Sequence, residues 1–332
     1  MLGNLSSRLA VTGAAVAVLC AVTAAPAWAA KPSGGGSGGS ALTTGIDVSY
    51  PQCGATLPTG EAFAVIGVNG GLANDYNSCL SSQWTYASRL TKTTSQPAAQ
   101  AYLNTGDAGN SVADWPSPSQ PGGYAAAHPG TLTSDTSGGP AYYYTTSGNC
   151  AFAQGSTAVG DNSPGCAYIY GYDMVAGITY TDSSGSPQSV VGDAAEFHGA
   201  TNGGQLYAQP AWLDIETSNS WQPQTSAGYA MNIADLQGMV DAIKDAATAA
   251  GPTPAAPIGL YTTGSQWQQI TGLTSATAAP GNLATLPVWI PGARTQKGAA
   301  SNCSQAPFNG PGGTVSLTQW FGTYDGDYSC VG

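Results

Sequence analysis

Ala211-Trp212-Leu213-Asp214-Ile215-Glu216 is the stretch on which the reading of this chain turns. It is a short apolar segment carrying two carboxylates two positions apart. Successive side chains of a strand point to opposite faces, so Asp214 and Glu216 share one face, together with Trp212. Leu213 and Ile215 point the other way, into packing. Two acids projecting together from the end of a buried strand suit glycoside hydrolysis, which takes one proton donor and one anion beside the scissile bond. The chain holds 18 acidic residues in 332, so an Asp-x-Glu inside an apolar segment stands apart from ordinary surface charge.

Outward from this strand the chain alternates. Thr44 to Tyr50, Ala62 to Val68 and Ala99 to Leu103 read as strands closed by Pro51, Asn69-Gly70-Gly71 and Asn104-Thr105-Gly106. A short helix is expected between Leu80 and Leu90. Beyond Glu216, the spacing of Ile233, Leu236, Val240, Ile243 and Ala247 predicts an amphipathic helix, ended by Gly251-Pro252. Ile258 to Thr262, Leu286 to Ile290 and Val315 to Trp320 supply three more strands. Seven strands interleaved with helices or long connections predict an α/β fold, a parallel (β/α) barrel with one strand missed or replaced; an open doubly wound sheet is the second choice. Residues 107–208 break the rhythm. They are rich in Gly, Pro and Ser, with one helix expected from Cys166 to Ile178, and read largely as a loop-rich insertion after the third strand.

The ends and the composition set the compartment. Arg8, the uncharged apolar run Leu9 to Ala25 and the small-x-small Ala27-Trp28-Ala29 predict a cleaved signal peptide over 1–29 and a secreted, extracellular protein. Residues 30–43 read as a flexible Gly/Ser linker, and 44–332 as a single barrel domain, with two domains as the alternative. Loss of Cys20 with the leader leaves Cys53, Cys79, Cys150, Cys166, Cys303 and Cys330, an even set that fits three disulfides in an exported chain. Sequence alone allows fifteen pairings; closure between neighbours is expected, Cys53–Cys79, Cys150–Cys166 and Cys303–Cys330. The net charge of -11 speaks against nucleic acid and anionic membrane surfaces as partners. No membrane anchor, metal or cofactor is expected, and a monomer is.

The ordered set Gly45-Ile46-Asp47-Val48-Ser49, Trp212-Leu213-Asp214-Ile215-Glu216, Ile258-Gly259-Leu260-Tyr261-Thr262, Pro287-Val288-Trp289-Ile290 and Leu317-Thr318-Gln319-Trp320 resembles glycoside hydrolase family 25. The resemblance covers about 44–106 and 209–330 and is closest to exported actinobacterial proteins of that glycosidase superfamily. It implies an irregular TIM-type barrel and a lysozyme-like muramidase that cuts the β-1,4 bonds of peptidoglycan. By position it implies Glu216 as proton donor, Asp214 as its charged neighbour, Asp47 as an acid at the end of the first strand, and a late acid at Asp327 or Asp325, with Asp327 preferred. Where the family carries a Thr-Glu-Gly-like ending on the second strand, this chain has Asn69-Gly70-Gly71. That missing acid implies a different substrate, a slower enzyme, or a barrel retained for glycan binding or extracellular interaction.

Aromatic rings suit sugar faces. Trp221, close behind the acid strand, is the first candidate for a substrate subsite, with Trp320, Tyr102 and Tyr261 on strands and Asn69 at a strand end; Trp267 and Trp289 read as core. Asp193, Glu196 and His198 read as a solvated cluster. The pKa of Glu216 is expected to rise beside Trp212 and Asp214, while Asp214 stays ionised if loop N–H groups or solvent reach it.

Overall fold

The computed structural model describes residues 43–90, 96–117, 122–133, 142–152, 159–181, 187–190, 192–251 and 256–331. The expected leader and all of the expected linker but Thr43 lie outside the described residues. Ala41–Gly332 form one compact unit. No helix among the described residues is long and apolar enough to cross a membrane.

All seven expected strands form: β1 (Thr44–Val48), β2 (Phe63–Gly67), β3 (Ala99–Asn104), β4 (Ala211–Asp214), β5 (Ile258–Tyr261), β6 (Pro287–Ala293) and β7 (Thr314–Trp320). An eighth, β8 (Asp325–Ser329), completes a closed barrel in which each strand pairs with its neighbours in chain order and β8 pairs with β1. β1 to β7 are parallel to one another; β8 runs antiparallel to both β7 and β1. Connection length explains the reversal. Four residues, Phe321 to Tyr324, separate β7 from β8, whereas a parallel return takes a crossover of a dozen or more.

The helices are α1 (Leu80–Ala87), α2 (Gly123–Ala127), α3 (Pro164–Ala176), α4 (Asp193–Ala200), α5 (Ser226–Ala250), α6 (Gly264–Thr271) and α7 (Gln296–Asn302). The β3–β4 connection is more ordered than its Gly, Pro and Ser content suggests. Its α3 is buried on every face from Gly165 to Val175, and its one acid, Asp173, accepts from the Tyr124 N–H at 2.7 Å. α3 packs along α5 at a distance set by two glycines. A methyl on Gly171 would meet the Asp235 carbonyl, and one on Gly238 the Tyr168 carbonyl. The same connection also carries a three-stranded sheet (Leu132–Thr133, Tyr142–Thr145, Gly148–Ala151) and the hairpin Ile178–Thr181 with Pro187–Val190.

Strand alternation divides the apolar residues into two cores. Ile46, Val48, Ile66, Leu103, Leu213, Ile215 and Leu260 face outward into the large cluster under the helices. Phe63, Val65, Trp212, Trp289 and Leu317 face inward and fill the barrel, with Tyr102 and Tyr261 packed on them. Rings and glycines interlock in this interior. A methyl on Gly259 would stand 2.3 Å from the Trp212 ring, and one on Gly45 2.5 Å from Phe63. The rings occupy the space that side chains on the neighbouring strand would need.

The disulfides are Cys53–Cys79, Cys150–Cys166 and Cys303–Cys330. The first ties the turn after β1 to the start of α1. The second ties the small sheet to α3. The third ties the end of α7 to the residue after β8. Because a closed barrel has little slack, Gly259→Ala should lower the unfolding free energy by about 1–3 kcal/mol through overpacking against Trp212. Urea titration measures this, and an unchanged midpoint would mean that the interior can yield around the ring.

Candidate active site

At the C-terminal rim of the parallel strands a cleft of about 260 Å³ opens, lined by Asp47, Tyr102, Asp214, Glu216, Tyr261, Trp289, Gln319, Phe321 and Asp325. Strand register assembles it. Asp47, Asn104, Asp214 and Tyr261 occupy the last inward positions of their strands, linked pairwise as Asn104 opposite Asp214 and Asp214 opposite Tyr261. The backbone of β4 stays extended past Asp214, since the Ile215 N–H donates to the Tyr261 carbonyl at 2.9 Å. That extension carries Glu216 to the same face, above Asp214. Because β8 is antiparallel, its first residue rather than its last reaches this rim, and Asp325 lies opposite Asp47 in register.

A polar chain crosses the rim. The Tyr261 hydroxyl donates to Gln319 Oε1 at 3.0 Å, and Gln319 Nε2 donates to Asp47 Oδ2 at 2.8 Å. Burial pushes the Asp47 carboxyl up to about 7; the Gln319 hydrogen bond opposes this, and the charges of Asp325 and Glu216 add to it. Asp214 is 8% exposed, and its Oδ1 is buried with no hydrogen-bond partner among the described residues. Burial first, then the charges of Glu216 and Asp47, hold it well above the usual carboxylate range. Burial also raises Glu216, with the Gln266 amide on α6 opposing, and raises Asp325, with the Gly322 N–H opposing. Tyr102 and Tyr261 are held in the phenol form by burial and by the nearby Asp214 and Asp47.

Both carboxyls of the pair are raised, and the expected ionisation of Asp214 meets burial that opposes it. Like charges this close do not both ionise readily, and their titration belongs to the pair.

The cleft gathers Asp47, Asp214, Glu216, Tyr102 and Tyr261 from the expected site residues. Others lie elsewhere. Asp327, preferred as the late acid, is fully buried, one inward position below the rim and opposite Gly45 and Gln319. Its carboxyl is raised by burial, then by Asp47 and Asp325, while the Trp289 indole opposes this. The acid at the cleft is therefore Asp325. Trp320 faces outward and covers Gly326. Trp221 lines a separate pocket with Gln222, Gln224 and Gln269, its indole N–H donating to the Glu216 carbonyl at 2.8 Å. Asn69 is spent inside the fold. Its Nδ2 donates to Asp193 Oδ1 at 2.7 Å and to the Ala73 carbonyl at 3.2 Å, and its Oδ1 accepts from the Asn104 N–H at 2.8 Å. Asp193 is accordingly buried rather than solvated.

Sequence reasoning missed Gln319 and Phe321 as site residues, and Trp289 was assigned to the core although its ring also forms the cleft floor. Inward alternation from Leu317 along β7 is the signal that leads to Gln319 and then Phe321. Among the described residues, the one grouping of potential metal ligands is Cys150, Asp161 and Cys166, and the two thiols there are joined as a disulfide. No family model, curated protein or solved structure matches this chain.

The sign of the pH effect follows from Asp47. Folded, it holds its proton up to about 7; unfolded, it loses it near 3.8. Between those values the native state binds more protons, so stability is greatest at the acid end of the window and falls as pH rises through it. The thermal midpoint should drop from pH 5 to pH 8, and Asp47→Asn should flatten the drop. A midpoint that rises over this range would mean that the cleft acids are paired or solvated in the fold.

Proposed function

We propose that this protein is a secreted glycoside hydrolase that cuts β-1,4 bonds of cell-wall glycan, in the manner of a muramidase. The observation that carries the reading is the Asp214–Glu216 pair at the rim of a closed barrel, one carboxyl buried, the other more exposed and both raised by burial, in a cleft with aromatic walls. The three closed disulfides and the leader-like first 29 residues support export.

In the proposed reaction the pair holds one proton between its carboxyls. Glu216, nearer solvent, passes that proton to the glycosidic oxygen as the bond from the anomeric carbon to that oxygen breaks. The carboxylate left behind, with Asp325 across the cleft, stabilises the oxocarbenium-like centre. Water then adds its hydroxyl to the anomeric carbon and returns a proton to the pair, which restores the starting state. Asp47, held by Gln319, adds a further carboxyl on the far side. Tyr102, Tyr261 and Phe321 offer ring faces to the C–H faces of the sugar.

Purified mature chain incubated with peptidoglycan should release new reducing ends, and Glu216→Gln should cut that rate at least about 100-fold, the lower bound for a lost general acid. Release by the variant equal to that of the wild type would remove Glu216 from the chemistry. A binding role is the second reading, favoured by the commitment of Asn69 to Asp193, which leaves β2 without an acid at the cleft. It requires that wild type and Glu216→Gln be retained equally on insoluble glycan and that neither cut it.

A further inference from the structure

The charge of the cleft is one-sided. Asp47, Asp214, Glu216 and Asp325 line it, and no Lys or Arg is among its lining residues. Between the acids the cleft is lined by Tyr102, Tyr261 and Trp289, with Phe321 standing 61% exposed. Asp214, which lines the cleft and is 8% exposed, has one carboxyl oxygen, Oδ1, with no hydrogen-bond partner among the described residues. A buried carboxyl oxygen in that condition costs free energy until a ligand supplies a partner.

From this geometry we infer that the cleft selects a β-1,4 glycan whose sugar at this position carries a free C2 ammonium in place of the acetamido group. An ammonium brings three donors and a positive charge; it satisfies Asp214 and favours ionisation of the surrounding acids. It also gains from the ring faces on either side. An acetamido group brings one N–H and a carbonyl that would face carboxyl oxygens. A lactyl or peptide carboxylate at the same position would meet like charge. The volume of about 260 Å³ lies below the usual ligand-pocket range of about 300–1,000 Å³, which suits one ring of a longer strand. The inference rests on the glycosidase reading for the sugar, and on the cleft alone for the amine.

The test compares the tetramer of β-1,4-glucosamine with the fully N-acetylated tetramer, by calorimetric titration of the mature chain at fixed low salt, with reducing-end release recorded on both. The amine tetramer should bind at least about 10-fold more tightly. The preference should shrink several-fold in Asp325→Asn and in Glu216→Gln, and persist in Asp75→Asn, which removes a surface charge outside the cleft. Equal or weaker binding of the amine tetramer overturns the inference. So does an equal loss in Asp75→Asn, which would show attraction to the acidic surface as a whole, and so does displacement by lysine amide at matched concentration, which would show a site for any amine. Faster cutting of chemically de-N-acetylated peptidoglycan than of the untreated strand supports wall glycan as the amine's source; cutting confined to the glucosamine tetramer supports a free polymer. If the amine tetramer binds selectively but nothing is cut, the hydrolase reading fails and the amine site stands. If the acetylated strand is cut and bound in preference, the hydrolase reading stands and the amine site fails.

Discussion

β8 lies between β7 and β1 and runs against both. Without it the sheet would keep two open edges and no enclosed interior; with it every barrel strand has two neighbours, and the barrel itself has no exposed edge. The four-residue link from β7 forces the antiparallel direction, and that direction fixes which end of β8 reaches the rim that holds the cleft. The disulfide Cys303–Cys330 fastens the strand just past its end to the C-terminus of α7. One short connection thus closes the fold, protects its edges and delivers Asp325 to the cleft.

The same closure imposes an electrostatic cost. Asp325, Asp327, Asp47 and Asp214 are brought toward one enclosed space, and none of the residues lining the cleft is a cation. Ionised together, they would repel one another across a medium of low polarity. The interior meets this by raising the proton affinity of its carboxyls. Trp212, Trp289, Phe63 and Tyr102 keep water from the lower layer, and every one of these acids is displaced in the same direction, chiefly by burial. Packing and proton affinity are therefore one property here. The rings that fill the barrel are also part of what raises the proton affinity of Asp214.

How far the sequence led depended on how strongly each element wrote its period. The seven parallel strands are apolar runs bounded by Pro, Gly and Asn, and α5 repeats at three and four; both were legible. β8 was not, because Asp325-Gly326-Asp327-Tyr328-Ser329 has little of the β-branched and aromatic content that marks a strand and resembles a solvated turn. That miss misplaced the late acid, since the two-residue alternation that separates rim from interior cannot be applied to a strand that is not recognised. Trp221 was misjudged for another reason. Nearness in sequence to Glu216 says nothing of direction, and the indole turns back to cap the Glu216 carbonyl instead of entering the cleft. Asn69 ends its strand facing a partner, Asp193, that is 124 residues away; no local pattern announces such a pairing.

The ionisation of the Asp-x-Glu pair shows where pattern ends and environment begins. Alternation alone places both carboxyls on one face, and it treats them as equivalent. Depth separates them. Asp214 sits at the level where Trp212, Tyr102 and Tyr261 close the floor, while Glu216 rises one strand step toward solvent and toward the amide of Gln266 on α6. Burial raises both carboxyls, Asp214 as the deeper of the two with the charges of Glu216 and Asp47 adding to it, and Glu216 with the Gln266 amide opposing. The amide of Gln319 does the same for Asp47 from across the rim, lowering a carboxyl that burial alone would push higher. A cleft built this way meets an incoming ligand with carboxyls at graded depths, and the grading comes from position along the strands.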